Sequence, residues 1–125
     1  MQNADDNIDK LEDILRNLTA SIPEILSAAI VSIEGLPIAS MMPEDIDDTR
    51  VAAITAAMLS LGERAAVELN KGALEQILIR GENGFLIVMA GGPNAVLTIS
   101  ATRDVKLGLV FLDCKRACEK ISKLV

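Results

Sequence analysis

At 125 residues, half of them hydrophobic, the chain has enough material to bury one real core and too much apolar character to be disordered. It contains no His, Trp or Tyr and only 2 Phe, so the commonest general base and metal ligand is missing and the core must pack through aliphatic side chains. The net charge is −6, which argues against nucleic-acid binding, because neutralised phosphate supplies most of that affinity.

The charge is unevenly spread: residues 1–50 carry 11 acids and 3 bases, and residues 51–125 carry 7 acids and 9 bases. The first nine residues, Met1 to Asp9, are polar and acidic, unlike a signal peptide. Asp5, Asp6 and Asn7 offer a cap and favourable charge for a helix start. Ile8, Leu11, Ile14, Leu15, Leu18 and Ile22 then keep helical spacing up to Pro23, with polar residues on the other side. Ala28 to Glu34 alternates like a strand, with Ala29, Val31 and Ile33 on one side. Gly35 allows a turn into a second short strand, Leu36 to Ser40. Pro37 cannot donate to a ladder, which suits a first residue or a sheet edge.

Glu44, Asp45, Asp47 and Asp48 open a long helix that runs to about Asn70, with Gly72 just past its end. Three strands follow. Leu74 to Arg80 is joined to Phe85–Ala90 through Asn83-Gly84, a two-residue hairpin signal, and Gly91-Gly92-Pro93-Asn94 turns the chain into Ala95–Ala101. Phe85–Ala90 is apolar on both faces and should be covered from both sides. Asp104 is a candidate cap for a last helix with the stripe Leu107, Val110, Phe111, Cys114, Cys118, Ile121 and Leu124. The expected architecture is α+β: a single three-layer domain spanning 1–125, with its core at about 8–124. A five-stranded antiparallel sheet carries the long middle helix on one face. The acidic first helix and basic last helix lie side by side on the other, with charges interleaved at the rim.

The middle helix carries no charge from Val51 to Gly62. A helical wheel gathers Val51, Ile54, Met58, Leu61, Ala65 and Leu69 on a side expected to face the sheet. Ala52, Ala53, Ala56, Ser60, Glu63 and Val67 lie opposite. That side is too apolar for water and its small residues invite another backbone, so it reads as a subunit or partner surface. Leu74–Arg80 is long, strand-prone and poorly protected, which invites pairing if it lies at an edge. Catalytic patterns are missing: there is no G-x-x-x-x-G-K-[ST], G-x-G-x-x-G or G-x-S-x-G, and Pro93 spoils Gly91-Gly92 as a phosphate loop. Cys114 and Cys118 read as small apolar residues of a buried stripe, since two thiols without further ligands complete no zinc site. The expectation is a non-enzymatic protein with no cofactor and no metal. With no charge-free run long enough for a bilayer, it is also expected to be cytoplasmic and not inserted in a membrane.

Several phrases carry a family resemblance. Ile30-Val31-Ser32-Ile33-Glu34-Gly35-Leu36-Pro37-Ile38-Ala39-Ser40 resembles the first hairpin of the roadblock (dynein light-chain) family in its stand-alone prokaryotic form. Leu59–Ala65 resembles the middle of its long helix, Glu75–Val88 its central hairpin, and Leu107-Gly108-Leu109-Val110 the opening of its last helix. The resemblance implies a homodimer built by pairing third-strand edges, with the long helices side by side. It also implies a partner, a Ras-like small GTPase that the dimer binds and regulates or localises. The residues then expected at the dimer interface are Ala53, Ala56, Ser60, Val67, Leu74, Gln76, Ile77, Leu78 and Ile79. Those expected to face the GTPase are Ala52, Ala56, Ser60 and Glu63. Arg50 and Arg64 flank the apolar helix and are assigned no catalytic role, so any stimulation of GTP hydrolysis would come from reshaping the GTPase's own switch loops. The alternatives are a longin-like trafficking adaptor and a PAS- or GAF-like ligand sensor. The second fits poorly with an aliphatic core that lacks His, Tyr and Trp.

Overall fold

The element order in the computed structural model, which describes residues 4–125 with side chains from Asp6 onward, is helix, two strands, helix, three strands, helix. The elements are α1 (Ala4–Ser21), β1 (Ile25–Ser32), β2 (Pro37–Met41), α2 (Asp48–Glu68), β3 (Ile77–Gly81), β4 (Gly84–Ala90), β5 (Ala95–Ala101) and α3 (Leu107–Ile121). The five strands form one antiparallel sheet in the order β2-β1-β5-β4-β3. The two edges are therefore β2, which begins on Pro37, and β3.

Pleat alternation splits the sheet's side chains into two cores. Ala28, Ile30, Ile87, Met89, Leu97 and Ile99 pack with Leu11, Leu15 and Leu18 of α1 and Val110, Cys114, Cys118 and Ile121 of α3. Ala29, Val31, Val88 and Val96 pack with Ala52 and Leu59 of α2. Strand β4 thus buries Ile87 and Met89 on one side and Val88 on the other, as its doubly apolar sequence demands. The terminal helices share one face and α2 has the other.

Local chemistry sets the boundaries, and several differ from expectation. Helix α1 already begins at Ala4, so Asp5, Asp6 and Asn7 lie within its first turn and do not precede it. Asp47 caps α2: its carboxylate accepts from the Thr49 amide at 3.0 Å. The other end closes in a Schellman arrangement, with Asn70 at φ 60 donating its amide to Val67 O at 3.1 Å and Lys71 to Ala66 O at 2.7 Å. Asp104 is not the α3 cap, because its carboxylate is engaged by the Thr102 hydroxyl. The capping position falls on Lys106, which has no side-chain cap bond. Strand β1 starts three residues earlier than the alternation suggested, because Ile25 pairs with Ala101 of β5, and Ile33 falls in the turn beyond it. Of the charges on α1 and α3, Asp13–Arg16 and Asp113–Arg116 pair within their own helices. Across the seam Asn7 Nδ2 donates to Leu124 O at 3.2 Å. Residues three apart on one helix reach each other at less conformational cost than long side chains on two helices.

Candidate interaction surface

The surface begins with β3. Its pair partners fix its faces: Ile77 lies opposite Val88, Leu78 opposite Ile87, Ile79 opposite Leu86 and Arg80 opposite Phe85. Val88 belongs to the α2 side and Ile87 to the α1/α3 side. Ile77 and Ile79 therefore look toward the α2 face, and Leu78 and Arg80 toward the other. Arg80 confirms this by lying 5.9 Å from the Phe85 ring centroid. Leu78 is 42% exposed and Ile79 is 43% exposed, one on each face. A free ladder edge with apolar side chains uncovered on both sides is an arrangement that natural sheets ordinarily blunt. The strand is shorter than the sequence suggested, because Leu74 folds back beneath α2 and Glu75 and Gln76 are not in the ladder.

Helix α2 supplies the second part. Its buried residues are Ala52, Thr55 and Leu59. Gly62 continues that line, and a Cβ there would meet the Ile77 Cδ1 atom at 2.8 Å. The stripe expected to face the sheet is therefore misplaced by roughly 100°, about one residue on a helical wheel. Leu61 is 70% exposed and Leu69 69% exposed, and Ile54 is also exposed, so this apolar flank faces outward. Small residues meet at the crossing point: a Cβ added to Gly35, at φ +92 in the β1–β2 turn, would already touch Ala53 Cα and Ala56 Cβ at 3.5 Å. A side chain larger than Ala or Thr would hold the helix away.

The predicted surface residues consequently separate. Ala52 is wholly buried against the chain's own sheet and can face no partner. Ala56 is half-buried beside Gly35. Ala53, Ser60, Glu63 and Val67 are exposed. Glu63 and Val67 line a hollow of about 370 Å³ with Ile33, Leu74 and Pro93, at the sheet end where the β1–β2 and β4–β5 turns lie. Ile54, Leu61 and Leu69, the residues sequence reasoning missed, occupy the other flank of the helix. The opposite sheet end holds a second hollow, of about 360 Å³, floored by Leu26, Ile79, Leu86 and Ser100. Arg64 is engaged with Glu68 at 3.1 Å on the outer helix surface.

The terminal-helix face has its own hollow of about 540 Å³, bounded by Glu75, Met89, Phe111, Leu112, Lys115 and Cys118. Burial pushes the Cys118 thiol up to about 12, and the Sγ–H points to Met89 O at 3.9 Å. Cys114 is likewise raised to about 12, by burial first and then by the neighbouring Cys118 and Asp113 charges. Thiols held this way are poor nucleophiles and poor ligands at neutral pH. Among the described residues no cluster of His, Cys, Asp and Glu is arranged for a metal, and no helix is long and apolar enough to cross a membrane.

Comparison with known proteins agrees with this architecture. The Roadblock/LC7 domain model matches residues 11–101. An uncharacterised protein of Methanocaldococcus jannaschii is 36% identical over 100 residues, covering 80% of this chain and 87% of that protein. A Roadblock/LC7 domain from Streptomyces avermitilis superposes with a TM-score of 0.84 over 90% of this chain and 94% of that one, at 18% identity. The gliding protein MglB of Thermus thermophilus superposes at 0.86 over 99% and 93%, at 20% identity. Both structural likenesses speak to fold. With its strand order, two-sided helical cover and matched sequence span together, the chain belongs to the Roadblock/LC7 domain family.

Proposed function

We propose that the protein is a non-catalytic homodimeric platform that binds a Ras-like small GTPase and regulates or localises it. The observation that carries the dimer is β3: an unpaired edge whose apolar side chains are uncovered on both faces. A second copy added antiparallel at this edge continues the sheet, and its helices supply cover for Ile79 on one face and Leu78 on the other. A two-fold axis perpendicular to the sheet turns the partner's α2 so that its Ile54–Leu61–Leu69 flank meets the same flank of the first copy. The dimer contact on α2 is thereby assigned to the larger aliphatic residues, with Ile77, Leu78 and Ile79 as the strand contribution.

This division leaves the other flank of α2 for a partner. Glu63 and Val67, with Ile33 and Pro93 from the adjoining turns, line a mostly apolar hollow with one carboxylate, and the exposed Ser60 lies one turn before Glu63 on the same helix. The GTPase is proposed from the family resemblance, and the free flank is the place this geometry offers it. No arginine is assigned to hydrolysis. An effect on the nucleotide would act through the GTPase's switch segments.

The test pairs two arginine substitutions with purified Ras-like GTPases of the source cell, loaded with GDP or a non-hydrolysable GTP analogue. Ser60→Arg should leave a folded dimer that no longer binds. Leu61→Arg should give monomers, because an unpaired charge would enter a dry contact. If Ser60→Arg binds as wild type in both nucleotide states, the GTPase surface lies elsewhere.

A further inference from the structure

We infer that the two-fold axis of the β3–β3 contact passes through Leu78, so that Leu78 faces its own copy directly. This rests on the dimer reading above and specifies the register that reading leaves open. The β3–β4 hairpin has a two-residue turn, Glu82-Asn83, closed by the Gly81–Gly84 pair. Such a turn makes the closing pair a hydrogen-bonded one, and hydrogen-bonded pairs then recur at every second residue. Gly81, Ile79 and Ile77 therefore direct their amides and carbonyls to β4. Leu78 and Arg80 direct theirs outward, to the open edge.

Only those outward groups can bond a partner strand, and with two-fold symmetry the residue on the axis meets itself. The centres to compare are Arg80, Ile79, Leu78 and Ile77, since one on Gly81 runs the pairing into the turn. Centring on Arg80 places two guanidinium groups opposite each other on adjacent strands, where like charges repel. It also pairs Ile79 with Gly81, leaving an isoleucine beside bare backbone. Centring on Ile79 sets Leu78 against Arg80 twice, an aliphatic side chain against a charge, and again spends an isoleucine, Ile77, on Gly81. Centring on Leu78 pairs Leu78 with Leu78 on the α1/α3 face and Ile77 with Ile79 twice on the α2 face. Arg80 then falls opposite the partner's Gln76, a polar neutral residue one position before β3 begins. This register matches every aliphatic side chain of the strand with another and separates the two arginines. Sliding further, to Ile77, leaves Arg80 beyond the pairing and sets Leu78 against Gln76.

Disulfide trapping reads the register directly. Residues opposite each other in a hydrogen-bonded pair have Cα atoms about 5.5 Å apart. A disulfide spans up to roughly 7 Å, so a cysteine bridges its own copy only at or beside the axis. The native Cys114 and Cys118 are buried with thiols raised to about 12, and do not compete. Single cysteines at Ile77, Leu78, Ile79 and Arg80 are treated with diamide, which takes two electrons and two protons from each thiol pair. Covalent dimer is followed on a non-reducing gel, with circular dichroism verifying the fold and light scattering the non-covalent mass. Leu78→Cys should bridge at least tenfold faster than the other three. Fastest bridging at Ile77, Ile79 or Arg80 overturns the register while leaving the edge contact in place. Dimeric mass without bridging at any position means another surface makes the dimer, and overturns the inference together with the edge contact. Monomeric mass for all variants and the parent chain refutes the dimer reading itself.

Discussion

Leu59 and Leu61 are two residues apart on the same helix and chemically identical, yet Leu59 is 6% exposed and Leu61 70% exposed. Truncating each to Ala asks whether α2 presents the face described here. Leu59 packs with Ala29, Val31, Val88 and Val96. Its truncation removes a buried isobutyl group and leaves a cavity between helix and sheet, at a cost of about 2–5 kcal/mol. Against a total stability of roughly 5–15 kcal/mol that is a large share. At this chain length it should lower the Tm by roughly 6–20 °C. Leu61→Ala should change the stability of the isolated chain by no more than about 0.5 kcal/mol. It should instead remove part of the stability that depends on protein concentration, because Leu61 is assigned to the contact between copies. Thermal denaturation over a hundredfold range of concentration separates the two. Leu59→Ala shifts the whole series down, and Leu61→Ala flattens its slope. Equal Tm losses for both at every concentration, or the larger loss at Leu61 in dilute solution, would refute the helix orientation.

Other substitutions probe the positions that shape the surface. Gly108→Ala meets no atom within 4 Å and should raise stability by about 0.5–1 kcal/mol in urea titrations, whereas Gly62→Val, pressed into Ile77 and Leu74, should lower it by about 1–3 kcal/mol. Gly84 has φ +145, and a Cβ there would collide with Ala101 O, so Gly84→Ala should disrupt the β3–β4 hairpin and lose the dimer by light scattering. Asp47→Ala should cost about 1 kcal/mol in the same titrations through loss of the α2 cap. Cys114 and Cys118 should resist a thiol reagent at pH 8 until the protein unfolds. Because their folded values lie above the unfolded one, their contribution to stability is complete at neutral pH. It should be lost as pH rises from about 9 toward 12, seen as a falling urea midpoint.

The elements most legible in the sequence were those whose chemistry is local. Asn83-Gly84 marks its hairpin because the turn needs those backbone conformations, and Pro37 marks a strand start because it lacks an amide. The stripe Val110, Cys114, Cys118 and Ile121 marks α3 because its opposite side is charged. Helix α2 resisted the same reading. Its hydrophobicity is nearly even around the axis, so ranking by apolarity chose Ile54 and Leu61 for the sheet. The sheet takes Ala52, Thr55 and Gly62, because what decides there is how closely two backbones approach. Of the large aliphatic residues only Leu59 is buried there, and Ile54, Leu61 and Leu69 stay exposed. Leu74 was read into β3 for a related reason. Its β propensity is real, but packing beneath α2 outweighs it. The free edge itself was anticipated only through the family resemblance, since strand order is a long-range property that local pattern does not encode.

The central claim is tested most directly by the mass of the complex in solution. The chain, of 13.3 kDa, is mixed at micromolar concentration with a Ras-like GTPase of the source cell in each nucleotide state, and the mixture is passed through size exclusion with light scattering. The account predicts a species containing two copies of this chain and bound GTPase in at least one nucleotide state, with free chain at twice its monomer mass. A chain that elutes at 13.3 kDa, beside GTPase of unchanged mass in both states, would contradict it.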